Sequence, residues 1–267
     1  MSFAGALAAV LALAVSAPFS SGEKGSPAAP GARAASRQET ESLGLPNPVK
    51  PAFSPGKPIF LHSSRWISRW ALVRTAVRAR ARPSFDAPAV ADVATRTPEG
   101  TSNIVLVLGG RTDAAGHLWI RVRLPVLGKD NTGWVPREAL GGYGTVRTHL
   151  VVDRQSLTAT LLRDGRVVFR ADVGVGKPSW PTPAGEFYIR NRLTGYASPM
   201  YGPLAFGTSA RSAILTDWPA GGFVGIHGTD RPDLLPGRVS HGCIRMRNAD
   251  ILRLARLLPV GTPLTIR

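Results

Sequence analysis

Hydrophobic and polar positions along the chain fall into three regimes. The first is a continuous apolar run over residues 3–15, FAGALAAVLALAV. At 13 residues it is too short to span a bilayer in the usual way, and it has the length of a signal-peptide core. Small residues follow at Val15-Ser16-Ala17, as at a cleavage site, although Pro18 stands just beyond and no Lys or Arg precedes the run. Residues 1–21 therefore read as a signal peptide or an uncleaved anchor, with a buried N-terminal helix as the bland alternative. No other stretch is apolar and long enough to cross a membrane. The chain is expected to be exported, to the periplasm or cell wall, and to touch a membrane only through this segment.

The second regime, residues 22–58, is rich in Pro, Gly, Ala and Ser and has no period of 2 or 3.6, the pattern of a flexible tether. A basic stretch follows, Arg65-Trp66-Ile67-Ser68-Arg69-Trp70, and continues through Arg74, Arg78, Arg80 and Arg82. The tether is expected to cover 22–70 and to dock on the domain that follows, leaving its arginines solvated.

The third regime is short β runs between turn clusters. Runs at 90–93, 103–108, 118–123 and 133–135 alternate with turn signals at Pro98-Glu99-Gly100, Gly109-Gly110, 113–116 and 128–131, which predicts a small barrel over 71–144. Gly116-His117-Leu118-Trp119-Ile120-Arg121-Val122 and Thr132-Gly133-Trp134-Val135 resemble bacterial SH3-like domains. That resemblance implies either a wall-peptide-binding module or a structural spacer. From 149 onward a second β region opens, in a domain expected over 146–267. Runs at 157–162 and 166–173 flank Asp164-Gly165, a pair favoured in tight hairpins, and further strands are expected at 185–190, 213–216, 223–226 and 263–266. One helix is expected: Asn248 caps it, Ile251, Leu254 and Leu258 recur at helical spacing, and Pro259 with Gly261 ends it. The fold class is mainly β in two domains.

Composition narrows the partners. The 267 residues include 29 Gly and 23 Pro, too many for a helical bundle, and 43% hydrophobic residues, enough for a sizeable core. A formal net charge of +16 favours something acidic: nucleic acid, anionic lipid or anionic cell-wall polymers. Interleaved Trp and Arg suit single-stranded nucleic acid, but no RNA- or DNA-binding motif accompanies them, and no nucleic acid is assigned as partner. The only cysteine is Cys243, which excludes an intramolecular disulfide and any multi-cysteine zinc or iron–sulfur site. An unpaired cysteine in an exported chain points to a reactive thiol or an intermolecular bond.

The chemistry concentrates in Gly225-Ile226-His227-Gly228-Thr229 and Ser240-His241-Gly242-Cys243-Ile244-Arg245-Met246. A thiol with a pKa of about 8.5 is only a few per cent ionised at neutral pH and needs an activating neighbour, for which imidazole is the usual choice. His241 lies two residues from Cys243, on the same side of an extended backbone, whereas His227 must approach through the fold. Spacing leaves the two open. His227, His241 and Asp230 would be the ligands of a metal, but no HExxH-like spacing supports one, and neither metal nor other cofactor is expected. Gly174-Val175-Gly176-Lys177 lacks the spacing of a phosphate loop.

These segments, with Val175-Gly176-Lys177, Pro181-Thr182-Pro183-Ala184-Gly185-Glu186-Phe187 and Tyr201-Gly202-Pro203, resemble the L,D-transpeptidases of the YkuD type over about 146–267. The resemblance implies a transpeptidase-type β-sandwich with one C-terminal helix. It makes Cys243 the nucleophile and His227 the proton acceptor and donor. Backbone N–H groups around His241, Gly242 and Cys243 would form the oxyanion hole, with Ser240 and Gly228 as orienting residues. Arg245, Thr229 and Tyr201 are candidate substrate contacts; many members have Asn where this chain has Arg245. The implied reaction is acyl transfer from a peptidoglycan tetrapeptide stem, with release of D-Ala, to an amine of a neighbouring stem, giving a 3→3 cross-link. Carbapenem-type β-lactams are the implied inhibitors. The alternatives are an L,D-carboxypeptidase, with water as acceptor, and a non-catalytic wall-binding protein.

Overall fold

A computed structural model describes residues 66–128, 131–194, 198–214 and 222–267, all within the compact unit Ser54–Arg267. The expected signal or anchor segment and the tether up to residue 65 lie outside the described residues. Among the described residues two sheets carry the architecture.

The N-terminal sheet comprises β1 (Ser68–Val73), β2 (Val77–Arg80), β3 (Ala89–Val93), β4 (Ile104–Thr112), β5 (Leu118–Arg123), β6 (Thr132–Pro136) and β7 (Leu140–Val146), in the spatial order β3-β2-β6-β5-β4-β1-β7. Two boundaries differ from the sequence expectation. The tether ends earlier than residue 70, because β1 starts at Ser68 and pairs on both sides, with β4 and β7. Gly109-Gly110 is not a turn: β4 runs through it to Thr112, with a register shift between Val107 and Gly109, and the chain turns at 113–116 instead. Trp66 is also occupied, since a Cβ on Gly165 would lie 2.5 Å from its ring.

The apolar run in β4 serves two cores. Successive side chains in a strand point to opposite faces. Val105 and Val107 accordingly join Ala71, Ile120, Val122 and Val135 inside the N-terminal sheet. Ile104 and Leu106 face the other way and pack with Trp70 against Tyr188 and Val260 of the second region. Burying each such side chain is worth about 1.5–3 kcal/mol.

The C-terminal region contains β8 (Thr148–Asp153), β9 (Thr158–Arg163), β10 (Arg166–Asp172), β11 (Gly174–Gly176), β12 (Gly185–Thr194), β13 (Leu204–Arg211), β14 (Phe223–His227), β15 (Gly237–Ser240), β16 (Ile244–Arg245), the helix α1 (Asn248–Ala255) and β17 (Pro263–Ile266). Its strand order is β10-β9-β8-β17-β12-β13-β14-β16-β11-β15. β12 is the junction: residues 185–188 pair with β17, and the part from Ile189 to Thr194 pairs with β13. The two halves of this β-sandwich close over one core that includes Leu150, Leu161, Phe187, Phe206, Ile226 and Ile244, which α1 seals with Ile251 and Leu254.

The strand expected over 213–216 is not formed at 213–214, the part of it within the described residues. The strand is β13, which ends at Arg211; residues 213–214 bend away, and 215–216 lie outside the described residues. β13 is buried along nearly its whole length although it contains Thr208 and Ser209. Each hydroxyl has a partner: Thr208 Oγ1 donates to the Val224 carbonyl at 2.6 Å, and Ser209 Oγ accepts the Tyr188 N–H at 3.0 Å. Hydrogen-bonded in this way, small polar residues can occupy a central strand.

Asn248 does not cap the helix. It is the first helical residue, Arg247 holds the cap position without a side-chain cap bond, and the Asn248 amide points elsewhere.

Where the sheets meet, the fully buried Tyr188 donates its hydroxyl to the Ile104 carbonyl at 2.9 Å. Tyr188→Phe leaves that carbonyl without its donor. The variant is expected to lose about 1–3 kcal/mol of unfolding free energy in urea titration while remaining folded; an unchanged midpoint would show that this bond contributes nothing to the contact.

Candidate active site

The site forms where β14 and β16 run side by side in parallel, with Ile226 opposite Ile244 and His227 opposite Arg245. Both isoleucines are fully buried, so the polar ends of the two strands are fixed by the core behind them. Between β15 and β16 the chain makes a tight turn, Ser240–Cys243. Gly242 has φ +117°, a conformation that a side chain disfavours. Ser240 stitches this turn: its hydroxyl accepts the Gly242 N–H at 3.1 Å and donates to the Cys243 carbonyl at 2.5 Å. Thr182 ties it from outside, donating to the Gly242 carbonyl at 2.8 Å and accepting the Gly176 N–H at 2.9 Å.

A pocket opens over this turn, and Cys243, His227, Ser240, His241, Arg245 and Tyr201 all contribute to its lining. Cys243 Sγ accepts the N–H of Gly225 at 3.4 Å. A Cβ on Gly225 would touch both Cys243 Sγ and His227 Cδ2 at 3.9 Å, so the thiol and the imidazole border the same methyl-sized space.

His227 is 3% exposed, and its Nδ1 lies 2.6 Å from the Gly228 carbonyl. A carbonyl only accepts, so Nδ1 carries the proton and Nε2 keeps its lone pair. The N–H of the same Gly228–Thr229 peptide donates to Asn248 Oδ1 at 2.9 Å. Tyr201 covers the imidazole edge-on at 4.9 Å between ring centroids. His241 is placed differently: its ring is exposed and packs edge-on against Trp180 at 4.5 Å.

Two expected roles change. The Gly242 N–H already serves Ser240 Oγ, which leaves the amides of His241 and Cys243, among the described residues, as the donors available to an oxyanion at this turn. Thr229 is 1% exposed and does not line the pocket; its hydroxyl accepts the Arg231 N–H at 3.1 Å, which ties it to the loop behind the pocket. Gly228 likewise lies behind the pocket and acts through its carbonyl. Gly225 and Thr182 stand in the quoted motifs and Asn248 reads as a helix cap, but the sequence assigns none of the three a role in the site. Their signal is adjacency to the motif, but backbone donation and a reach across from α1 have no spacing rule.

Charge states follow from burial. Burial holds the His227 pKa down at about 4; the positive charge of Arg245 adds to this, and the Gly228 carbonyl opposes it. Burial pushes the Cys243 thiol up, against the Gly225 N–H and Arg245, which both favour the thiolate. The resting pair is a neutral imidazole beside a neutral thiol. Arg245 Nε is buried without a hydrogen-bond partner among the described residues, so its guanidinium is under-satisfied and borders the pocket. No group of three or more His, Cys, Asp or Glu among the described residues is arranged to hold a metal.

The family described as the YkuD L,D-transpeptidase catalytic domain matches residues 147–266. A Bacillus subtilis (strain 168) protein named as an L,D-transpeptidase, YkuD, is 38% identical over 122 residues, covering 46% of this chain and 67% of that one. Another from the same organism, YqjB, is 32% identical over 127 residues, covering 44% and 70%. Among solved structures, the L,D-transpeptidase LdtMt1 in complex with imipenem is similar at 18% identity and a TM-score of 0.37, covering 76% of this chain and 83% of that one.

A neutral pair has a distinctive pH signature. Alkylation of Cys243 by iodoacetamide should accelerate about tenfold per pH unit between pH 6 and 8, because only the thiolate reacts and its fraction is still rising there. A flat rate over that range would mean that a thiolate–imidazolium pair already exists at rest.

Proposed function

The chain belongs to the L,D-transpeptidase family of YkuD type, a family of peptidoglycan-modifying enzymes, and from that membership we propose a cysteine acyl transfer on wall peptides. Cys243 attacks the carbonyl that joins the third residue of a tetrapeptide stem to its terminal D-Ala. His227 Nε2 takes the thiol proton during attack and returns it to the departing D-Ala amine. The product of this half-reaction is a thioester on Cys243. An amine from a neighbouring stem attacks the thioester, its proton passes to His227 and then to the restored thiol, and a 3→3 cross-link remains. With water in place of the amine, the same steps trim the stem.

The observation that carries this reading is the shared pocket of Cys243 and His227, with the imidazole tautomer set by the Gly228 carbonyl. Because the thiol is protonated at rest, general-base help from His227 is needed in the attacking step. The amides of His241 and Cys243 would receive the oxyanion, a contribution typically worth about 2.7–4 kcal/mol per donor. Arg245 offers a charge to a carboxylate of the donor stem, and Tyr201 forms the wall over the base. Carbapenem-type β-lactams would acylate the same sulfur, the class represented by imipenem in the LdtMt1 complex. The net charge of +16 suits work beside carboxylate- and phosphate-bearing wall polymers, outside the cytoplasm.

Mass spectrometry of products from a disaccharide-tetrapeptide tests each part. Cross-linked dimer with free D-Ala is expected, whereas tripeptide alone would make the enzyme a carboxypeptidase. Cys243→Ala should abolish D-Ala release and the imipenem adduct. His227→Ala should slow acylation by about 10²–10⁴-fold, and His241→Ala by much less. If His241→Ala has the larger effect, the base is misassigned.

A further inference from the structure

We infer that Glu99, in the loop between β3 and β4 of the N-terminal sheet, is a positioning residue for the acyl-donor pocket, acting through Arg190 on the ring of Phe223. This rests on reading that pocket as the donor site.

The loop between β3 and β4 is held as a rigid tip. Thr97 N–H donates to the Thr101 carbonyl at 2.8 Å, the hydroxyls of the two threonines meet at 2.8 Å, and Arg96 donates to the Gly100 carbonyl at 2.7 Å. The tip lands on β12. Glu99 Oε1 accepts Arg190 Nη2 at 2.7 Å, and Glu99 Oε2 accepts Asn191 Nδ2 at 3.2 Å. Asn191 Nδ2 also reaches Thr101 Oγ1, at 2.9 Å.

Arg190 is 2% exposed, and its Nε donates to the Thr208 carbonyl at 3.0 Å. Its guanidinium lies 3.8 Å over the centre of the Phe223 ring. Phe223 is the first residue of β14, the strand that ends at His227, and it lines the same pocket as Cys243. A carboxylate from one sheet thus fixes a cation, and the cation is a flat plate against an aromatic wall of the site in the other.

An ordinary interface contact does not need this arrangement. Removing a guanidinium from water is costly unless it is paired and fully hydrogen-bonded, and apolar residues of similar volume often serve stability as well. What an arginine adds is a planar surface of fixed orientation, held by its bonds and attracted to the ring face. If Glu99 loses its charge, Arg190 is left uncompensated in a buried place and is drawn from its seat, and the Phe223 ring loses the nearer of its two guanidinium contacts, keeping only Arg211 at 5.1 Å. The donor should then fit less well while the thiol and imidazole, held by β16 and the Gly228–Thr229 peptide, stay in place.

The test is a double-mutant cycle in the full chain, with the tetrapeptide donor and D-Ala release as the readout. Glu99→Gln and Phe223→Leu should each raise KM by about tenfold with kcat within about twofold. The double variant should be no worse than the worse single one, because both act on one ring. Iodoacetamide should alkylate Cys243 at wild-type rates in all of them. Arg190→Lys keeps a cation opposite Glu99 but removes the plate, and should show the same rise in KM even if Glu99→Gln folds poorly; Glu99→Asp should restore KM. Multiplied effects in the double variant, or a wild-type KM in Arg190→Lys, would overturn the relay and leave a purely structural ion pair. A wild-type protein that releases no D-Ala would instead overturn the proposed function.

Discussion

The peptide group joining Gly228 to Thr229 is bonded at both ends, its carbonyl to the His227 Nδ1 proton at 2.6 Å and its N–H to Asn248 Oδ1 at 2.9 Å, and the catalytic geometry depends on it. With Nδ1–H committed, the reactive lone pair of the ring is directed at the pocket. A peptide held on both sides is also polarised in the sense that strengthens each bond. This gives α1 a role beyond sealing the core. Its apolar face, Ile251 and Leu254, anchors it, and its first residue reaches back to hold the loop after the base. Gly228 and Gly202 make room for that reach: a Cβ on either would collide with Asn248 Oδ1. Where many triads place a carboxylate behind the histidine, this site places a backbone amide, and it avoids a second buried charge.

That choice is consistent with the protonation states. A carboxylate behind His227 would hold its pKa up, whereas a buried ring with a neutral partner and Arg245 nearby is held down at about 4. Cys243 is displaced in the opposite direction by the same burial. Near neutral pH neither group of this pair is charged, and Arg245 brings a positive charge to the pocket lining. The site at rest is therefore cationic and set to receive an anion. The His227 shift has a consequence for stability as well. Its folded pKa lies below the unfolded value of about 6.5. Its contribution is complete above that value and declines as pH falls toward 4, where the unfolded chain binds the proton more readily.

Much of this was legible in the sequence, and most of the parts that were not share a cause. Cys243 and His227 stand out because thiol and imidazole are rare here and the motif around them is specific. The hairpin at Asp164-Gly165 and the helix over Ile251 and Leu254 follow from local rules, and the structure contains both. β13 was missed because period-2 alternation fails in a strand buried on both faces, where Gly207, Thr208 and Ser209 look like a loop. Gly109-Gly110 looked like a turn because glycine marks both turns and strand irregularities, and only the pairing of β4 with β5 decides. Asn248 satisfied the rule for a helix cap, yet its amide serves a loop distant in sequence. The Gly242 amide was assigned to the oxyanion because nothing local shows that the Ser240 hydroxyl takes it first. For β13, Gly109-Gly110 and Asn248 a long-range partner overrode a correct local preference; for Gly242 the competing acceptor lies only two residues away.

The two sheets meet along β12, and its alternation explains how one strand faces two neighbours. Phe187 and Ile189 belong to the core of the catalytic domain, while Tyr188 packs on Ile104 and Leu106 and Arg190 pairs with Glu99. The apolar part of this contact carries most of the attraction, at about 1.5–3 kcal/mol for each large side chain buried. The polar corner adds little net stability, because desolvating a buried ion pair offsets most of its Coulombic gain. What it contributes is direction. Hydrophobic packing alone tolerates small sliding and repacking, but a carboxylate with bonds to Arg190 and Asn191 fixes the tip of the β3–β4 loop on β12 at one register. Since Arg190 also lies against Phe223, that register is passed to the pocket, so the β3–β4 loop backs the active-site wall without lining it.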